Sequence, residues 1–268
     1  AGRRTTLPRW SRIPIRNDHA SPLPPAPLME MLAASAIVML AAILHACTGF
    51  GFSVLATPFL LLVFDTAEAI QINIALSIMI SVVLMPRLLA DIDTALLWRL
   101  LAGGILGAPL GILTYVYADP DHLRMGIGLL LLAFTFFVLR KFRFRRSNRR
   151  DVLTGAFSGA LTSGLGMPGP PLMVYFSGAP IPPRVLRSTT LTCFLITYSI
   201  SLALQIGVGS ATGEVLRASL ILAPATGAGV ILGQMLFTRI DTAVFMRLIY
   251  GLLILTGLYL VIASALRF

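Results

Sequence analysis

Two short segments rich in glycine and proline interrupt otherwise apolar sequence. The first break reads HACTGFGFSVLATP over residues 45–58, and the second reads TSGLGMPGPP over residues 162–171. Glycine lets a ligand approach the backbone closely, and proline is well suited to the first position of a helix. A helix that begins inside a membrane directs unpaired N–H groups and its positive dipole end at the cavity. Each break therefore predicts a backbone site for an anion, with close packing of helices by small residues as the alternative.

Polar side chains follow each break at equivalent positions. Gln71 and Asn73 follow the first, and Arg187, Ser188 and Thr189 follow the second. Amides and hydroxyls can donate to oxyanions, and the arginine adds a planar cationic group. Arg187 lies only a few residues into its helix, so a side chain that reaches the membrane surface is the alternative to a ligand. The predicted substrate-binding residues are Gly49, Gly51, Phe52, Ser53, Gln71, Asn73, Gly164, Gly166, Met167, Gly169, Arg187, Ser188 and Thr189.

His45 is the only histidine in an apolar segment, which makes it the candidate for proton coupling. A neutral histidine packed in the core is the alternative interpretation. No Asp or Glu lies in the middle of an apolar segment, which disfavours a carboxylate proton relay or a cation pathway. Apolar segments that contain neutral hydrogen-bond donors and no carboxylates favour an anionic substrate.

The sequence gives no support for an enzyme, a metal site or a cofactor. It contains no G-x-S-x-G elbow, no H-E-x-x-H and no phosphate-binding loop of the G-x-x-x-x-G-K-[ST] type. Cys47 and Cys193 are interpreted as small buried apolar residues, and no metal-ligand spacing is present. The net charge of +10 lies mainly between the apolar segments, so nucleic acid is not an expected partner.

The elements that must position these residues are membrane helices. Hydrophobic residues make up 57% of the chain and charged residues 12%, a balance that a soluble domain does not have. Two shorter apolar pieces, 52–64 and 168–178, reach only about 16–20 Å as helices and are predicted to be half-helices or re-entrant pieces. The windows predicted to cross the membrane are 28–48, 67–86, 94–118, 122–140, 185–207, 213–237 and 242–266.

The two halves of the chain match in order. Gly49 and Gly51 align with Gly164 and Gly166, and further Gly and Arg positions match at offsets that drift slowly. The sequence thus predicts an all-α membrane protein with a disordered Arg/Pro-rich tail (1–27), a first repeat (28–140), a basic cytoplasmic loop (141–150) and a second repeat (151–268). Interrupted segments at equivalent places favour inverted repeats. Parallel repeats are the alternative if the short pieces do not cross the membrane separately.

From about residue 30 to 266 the chain resembles the TauE/SafE sulfite exporter family. The resemblance lies in a Gly-rich break that leads into Pro in each half, although Phe50 and Phe52 replace part of the first glycine run. It implies a secondary transporter of sulfite, sulfoacetate or similar sulfonates, a multi-pass protein of the bacterial inner membrane with export as the expected direction. An anion channel and a non-transporting assembly subunit are the alternatives. The expected partners are a small anion and the lipid bilayer, and a homodimer is left open.

Overall fold

The computed structural model describes residues 28–48, 51–87, 91–140, 146–176, 179–208, 213–236 and 242–266. The predicted tail, Gly49 and the first half of the basic loop (141–145) lie outside these ranges. Within them the chain is all-helical, with no strand. The ten α-helices are α1 (Leu28–Thr48), α2 (Phe52–Leu60), α3 (Thr66–Leu84), α4 (Thr94–Tyr117), α5 (Pro120–Leu139), α6 (Asn148–Leu165), α7 (Gly169–Phe176), α8 (Pro183–Gly207), α9 (Gly213–Leu236) and α10 (Thr242–Ala265).

Six helices in the described part of the chain are long and apolar enough to cross a membrane. Large apolar side chains on these helices are more exposed than is usual on the surface of a soluble protein. Leu106 is 73% exposed and Trp98 is 69% exposed. Large exposed apolar surfaces of this kind mark contact with lipid. The six spans are Met29–Ala46, Thr66–Leu84, Thr94–Tyr117, Pro120–Leu139, Pro183–Gly207 and Gly213–Met235.

Helix starts follow the local sequence. Asp93 caps α4 by accepting from Leu96 N at 2.9 Å, and Asp119 caps α5 ahead of Pro120. Ser147 caps α6 by accepting from Arg150 N at 3.3 Å. α6 therefore begins at Asn148, within the segment 141–150 that was predicted to be a loop.

Helices from the half of the chain before the basic segment pair with helices from the half after it. α4 packs on α6 and α1 on α9, while α3 packs on α8 and α5 on α10. Each pair joins one helix from the first half of the chain with one from the second half. Polar side chains buried in the interior come largely from the pair α3 and α8. They are Thr66, Gln71, Asn73, Ser77 and Ser81 of α3 with Ser188, Thr189, Thr190, Thr192, Thr197, Ser201 and Gln205 of α8.

Glycines bring α4 and α6 into direct backbone contact. A Cβ added to Gly103 would lie 2.0 Å from Val152 O, and one added to Gly159 would lie 2.2 Å from Gly104 O. No larger residue fits at such positions, because the obstacle is backbone. Gly229 and Gly233 of α9 meet the backbone of α1 in the same way. These glycines, together with Gly107 and Gly111 of α4, serve helix packing.

Candidate functional site

The first break turns the end of α1 into the start of α2. Gly51 precedes α2 with a φ of 147°, a conformation that side chains rarely adopt. Phe52 N donates to His45 Nδ1 at 3.4 Å. Since Nδ1 accepts, the neutral ring carries its proton on Nε2. That atom is buried and has no hydrogen-bond partner among the described residues.

α8 of the second half supplies side chains to this first break. Arg187 Nη2 donates to Ala46 O at 2.8 Å, next in the chain to His45. Further along α8, the hydroxyls of Tyr198 and Ser53 are hydrogen-bonded to each other. The guanidinium of Arg187 is thus turned inward to the end of α1, and its role as a ligand stays a prediction.

The second break ends α6 in a left-handed turn. Gly166 has a φ of 69°, Gly166 N donates to Thr162 O, and Met167 N donates to Leu161 O at 3.2 Å. The bond from Gly166 N to Thr162 O is that of the αL capping motif, in which glycine is preferred at the left-handed position. Asn73 Nδ2 of α3 donates to Gly166 O at 2.8 Å, so the first half of the chain contacts the second break. Asn73 Oδ1 is buried and unpaired within the described part of the chain.

The two breaks differ in the donors that they offer. Helix geometry leaves the first N–H groups of α2, including those of Ser53 and Val54, without an acceptor in the helix. The first turn of α7 contains Pro170 and Pro171, which have no N–H. The first break is therefore the richer in donors for an anion.

The short helices α2 and α7 meet inside the molecule. A Cβ added to Gly169 at the start of α7 would lie 3.9 Å from Val54 Cγ2 in α2, an ordinary contact distance. Phe52, Ser53 and Met167 are all at most 5% exposed. Both breaks thus lie in the protein interior, where irregular backbone at membrane depth is tolerated.

Other predicted site residues use their polar groups within the fold. Gln71 Nε2 donates to Tyr115 Oη at 3.2 Å, and Thr189 Oγ1 accepts from Asp93 N at 3.0 Å. Ser188 Oγ donates to Arg184 O in its own helix. Gly164 faces Gly111 of α4, with Gly111 O 3.2 Å from an added Cβ. The structure therefore brings His45, Phe52, Ser53 and Arg187 together at one break and Asn73 and Gly166 at the other.

Several interior polar residues were not identified from the sequence. Tyr198 and Tyr115 bind predicted residues through their hydroxyls. Near the second break, Ser163 Oγ lies 2.9 Å from Ser201 Oγ, and Gln205 Nε2 donates to Ser163 O at 3.1 Å. For Tyr198, Ser201 and Gln205, the sequence signal is the density of Ser, Thr, Tyr and Gln along α8.

The two ends of the molecule differ in charge. A cavity of about 630 Å³ opens at one end, and its lining includes the carboxylates Glu30, Asp65, Glu68, Asp121 and Glu214 with Arg124 and Arg217. We call this the acidic end. At the opposite end, which we call the basic end, Arg99 and Arg146 meet at Asp151. Arg149 and Arg150 lie beside them in the first turn of α6, Arg140 follows α5, and Arg184 lies at the start of α8, which contacts the start of α4. Among the described residues, no group of His, Cys, Asp and Glu could hold a metal ion.

Comparison with known proteins gave one match. The sequence model of the family described as "Sulfite exporter TauE/SafE" matches residues 34–260. Searches of curated proteins and of solved structures found no match. The family match covers both breaks and all ten helices in whole or in part.

Proposed function

The chain belongs to the TauE/SafE sulfite exporter family, and from this premise we propose that it is a secondary transporter of sulfur oxyanions. Sulfite, sulfoacetate and similar sulfonates are the substrate class, and export across the bacterial inner membrane is the direction. The observation that carries the proposal is the first break, where α2 begins beside the His45 ring, His45 Nε2 is buried and unpaired, and the Arg187 guanidinium donates to Ala46 O. Such donors stabilise an anion without a carboxylate to repel it.

We propose that the anionic group binds at the first break and that the second break positions the rest of the substrate. Prolines at the start of α7 remove backbone donors there. The unpaired Asn73 Oδ1 is an acceptor, which suits a hydroxyl, a water or a protonated oxygen better than a bare anion.

Inverted repeats are part of the proposal. The starts of α1, α3, α5 and α9 all line the cavity at the acidic end. The starts of α4, α6 and the end of α7 meet at the basic end through Arg99, Asp151 and Tyr175. Helices α1 and α3 therefore run opposite to α6 and α8, their counterparts in the second half. The positive-inside rule places the basic end in the cytoplasm, and alternating access would expose the breaks to each end in turn.

His45 offers a route for proton coupling. A proton added to Nδ1 would turn this acceptor into a donor that faces Phe52 N–H, and the bond at the start of α2 would be lost. The guanidinium of Arg187 donates to the carbonyl of Ala46, the residue next to this histidine. Protonation would thereby alter the same backbone that we propose holds the anion.

Counterflow in proteoliposomes tests the proposal. Vesicles loaded with unlabelled sulfite or sulfoacetate should accumulate the labelled anion, and acetate inside should not support this exchange. Conductance without counterflow would indicate a channel, and neither signal across the anion panel would indicate an assembly subunit.

Arg187→Lys tests the site itself, because lysine keeps the charge and loses the planar donor group. We expect about tenfold weaker half-saturation of counterflow, equivalent to one charge-assisted hydrogen bond of about 1.5 kcal/mol. Arg184→Lys is the matched control, since Arg184 is exposed one turn earlier in α8. Equal affinities in the two variants would remove Arg187 from the site.

A further inference from the structure

A buried carboxylate at the basic end joins three elements. Asp151 in the first turn of α6 is 1% exposed. Its Oδ2 accepts from Arg99 Nε of α4 at 2.9 Å and from Arg146 Nη2 at 3.4 Å, and its Oδ1 accepts from Tyr175 Oη of α7 at 2.8 Å. We call these four residues the Asp151 cluster. A buried carboxylate needs this many donors to remain charged.

Two of the three elements in the cluster cannot separate. Next to Arg99 and Asp151, a Cβ added to Gly155 would lie 2.3 Å from Leu100 O, and one added to Gly103 would lie 2.0 Å from Val152 O. Backbones packed this closely fix α4 against α6, so the bond between Arg99 and Asp151 stays in place whatever moves.

The third element is held by a hydroxyl. Tyr175 lies in the last turn of α7, and its Oη contacts Asp151 and the backbone of Ser147. α7 is a single helix of eight residues, so a movement at Tyr175 is carried to Gly169 at the second break. The equivalent position at the end of α2 is Leu60, which has no hydroxyl, and the residues that follow it line the cavity at the acidic end.

We infer that Tyr175 is a positioning residue that latches α7 to the fixed pair α4 and α6 and thereby closes the basic end of the second break. Release of its hydroxyl from Asp151 lets α7 move and opens a path from the basic end. This inference rests on the proposed alternating access and names the contact that regulates it.

Side-specific labelling tests the latch. In a background with Cys47→Ser and Cys193→Ser, Gly169→Cys places one thiol at the inner end of α7, where a Cβ has room. A membrane-impermeant maleimide is applied from either face of oriented vesicles. Tyr175→Phe should raise labelling from the basic end severalfold and leave labelling from the acidic end unchanged or lower.

Tyr117→Phe is the matched control, because Tyr117 is 76% exposed at the far end of α4, and it should label like the background. Unchanged labelling in Tyr175→Phe would overturn the latch, and so would an equal rise from both faces, which indicates general loosening. Asp151→Asn, which weakens the acceptor without changing its size, should give a smaller rise from the basic end alone, and no rise there would also count against the latch.

The labelling needs no substrate. Counterflow can therefore fail while the side-specific rise remains, which would remove the proposed substrates and keep the latch. Counterflow together with unchanged labelling in Tyr175→Phe would keep the proposed substrates and remove the latch.

Discussion

At the scale of single residues, the two breaks combine glycines in unusual conformations with polar groups that come from the other half of the chain. Gly51 and Gly166 have positive φ values. α8 contacts the first break through Arg187 and Tyr198, and α3 contacts the second through Asn73. Each break is thus completed by the half of the chain to which it does not belong.

Gly166→Ala should lower both stability and transport. The left-handed conformation costs an L-residue about 1–2 kcal/mol, and the new Cβ would lie 3.0 Å from Asn73 Nδ2. Thermal unfolding in detergent and counterflow measure the two effects. Gly126→Ala in α5, with nothing within 4 Å of the added Cβ, is the control and should gain up to about 1 kcal/mol. Full transport by Gly166→Ala would remove this turn from the mechanism.

His45→Gln should separate binding from coupling. Glutamine can accept from Phe52 N and still donate to an anion, but it does not take up a proton in this pH range. We expect counterflow to persist while accumulation driven by a pH gradient is lost. His45→Ala, which removes donor and acceptor together, should lose both activities. Accumulation that still follows the pH gradient in His45→Gln would place coupling elsewhere.

At the scale of helices, the residue patterns predicted most elements but not all of their neighbours. Gly and Pro act on the local backbone, so the breaks and the short helices could be located from the sequence within a few residues. α6 was absent from the predicted windows, because Arg149, Arg150 and Asp151 begin it and small polar residues follow. Its glycines pack against α4 and do not contact lipid. The low hydropathy of α6 therefore does not make its place in the membrane unfavourable.

Side-chain partners could not be predicted in the same way. The bond between Ser53 and Tyr198 joins residues 145 positions apart, and that between Asn73 and Gly166 joins residues 93 apart. No periodicity in the sequence encodes such pairs. Ser188 and Thr189 have the right chemistry for a site, yet their hydroxyls bond to a helix carbonyl and a loop amide. Composition predicted the kind of group present, and only the fold decides which groups meet.

The contact between α4 and α6 should be intolerant of side chains. Gly107→Leu would place its Cβ 1.9 Å from Ala156 O, so the two backbones would have to separate. We expect loss of the folded protein from the membrane, measured by detergent extraction and size-exclusion chromatography. Gly251→Leu in α10, where an added Cβ meets nothing within 4 Å, should remain folded. A monodisperse Gly107→Leu protein would contradict the close packing.

At the scale of the whole molecule, the charges and the helix directions make a topological prediction. Glu30 near the start of α1 and Ser264 near the end of α10 both line the cavity at the acidic end. With the basic end in the cytoplasm, a reporter joined ahead of Leu28 and one joined after Leu266 should both face the outside. A reporter in the basic segment should face the cytoplasm. Alkaline phosphatase and a fluorescent protein, active on opposite sides, measure this. A basic segment on the same side of the membrane as the two termini, as parallel repeats require, would rule out the inverted arrangement.

The pairing of α1 with α9 and of α4 with α6 also governs how the protein can be made. α1 leaves the ribosome long before α9, and α4 leaves it before α6. The faces of α1 and α4 that pack against these partners therefore contact lipid until the partner helices are inserted. Neither half can bury its glycine-lined faces alone, and mature packing becomes available only when α9 has been inserted. A chain interrupted before α9 should therefore be recognised by the cell as unassembled, however well its first eight helices have entered the bilayer.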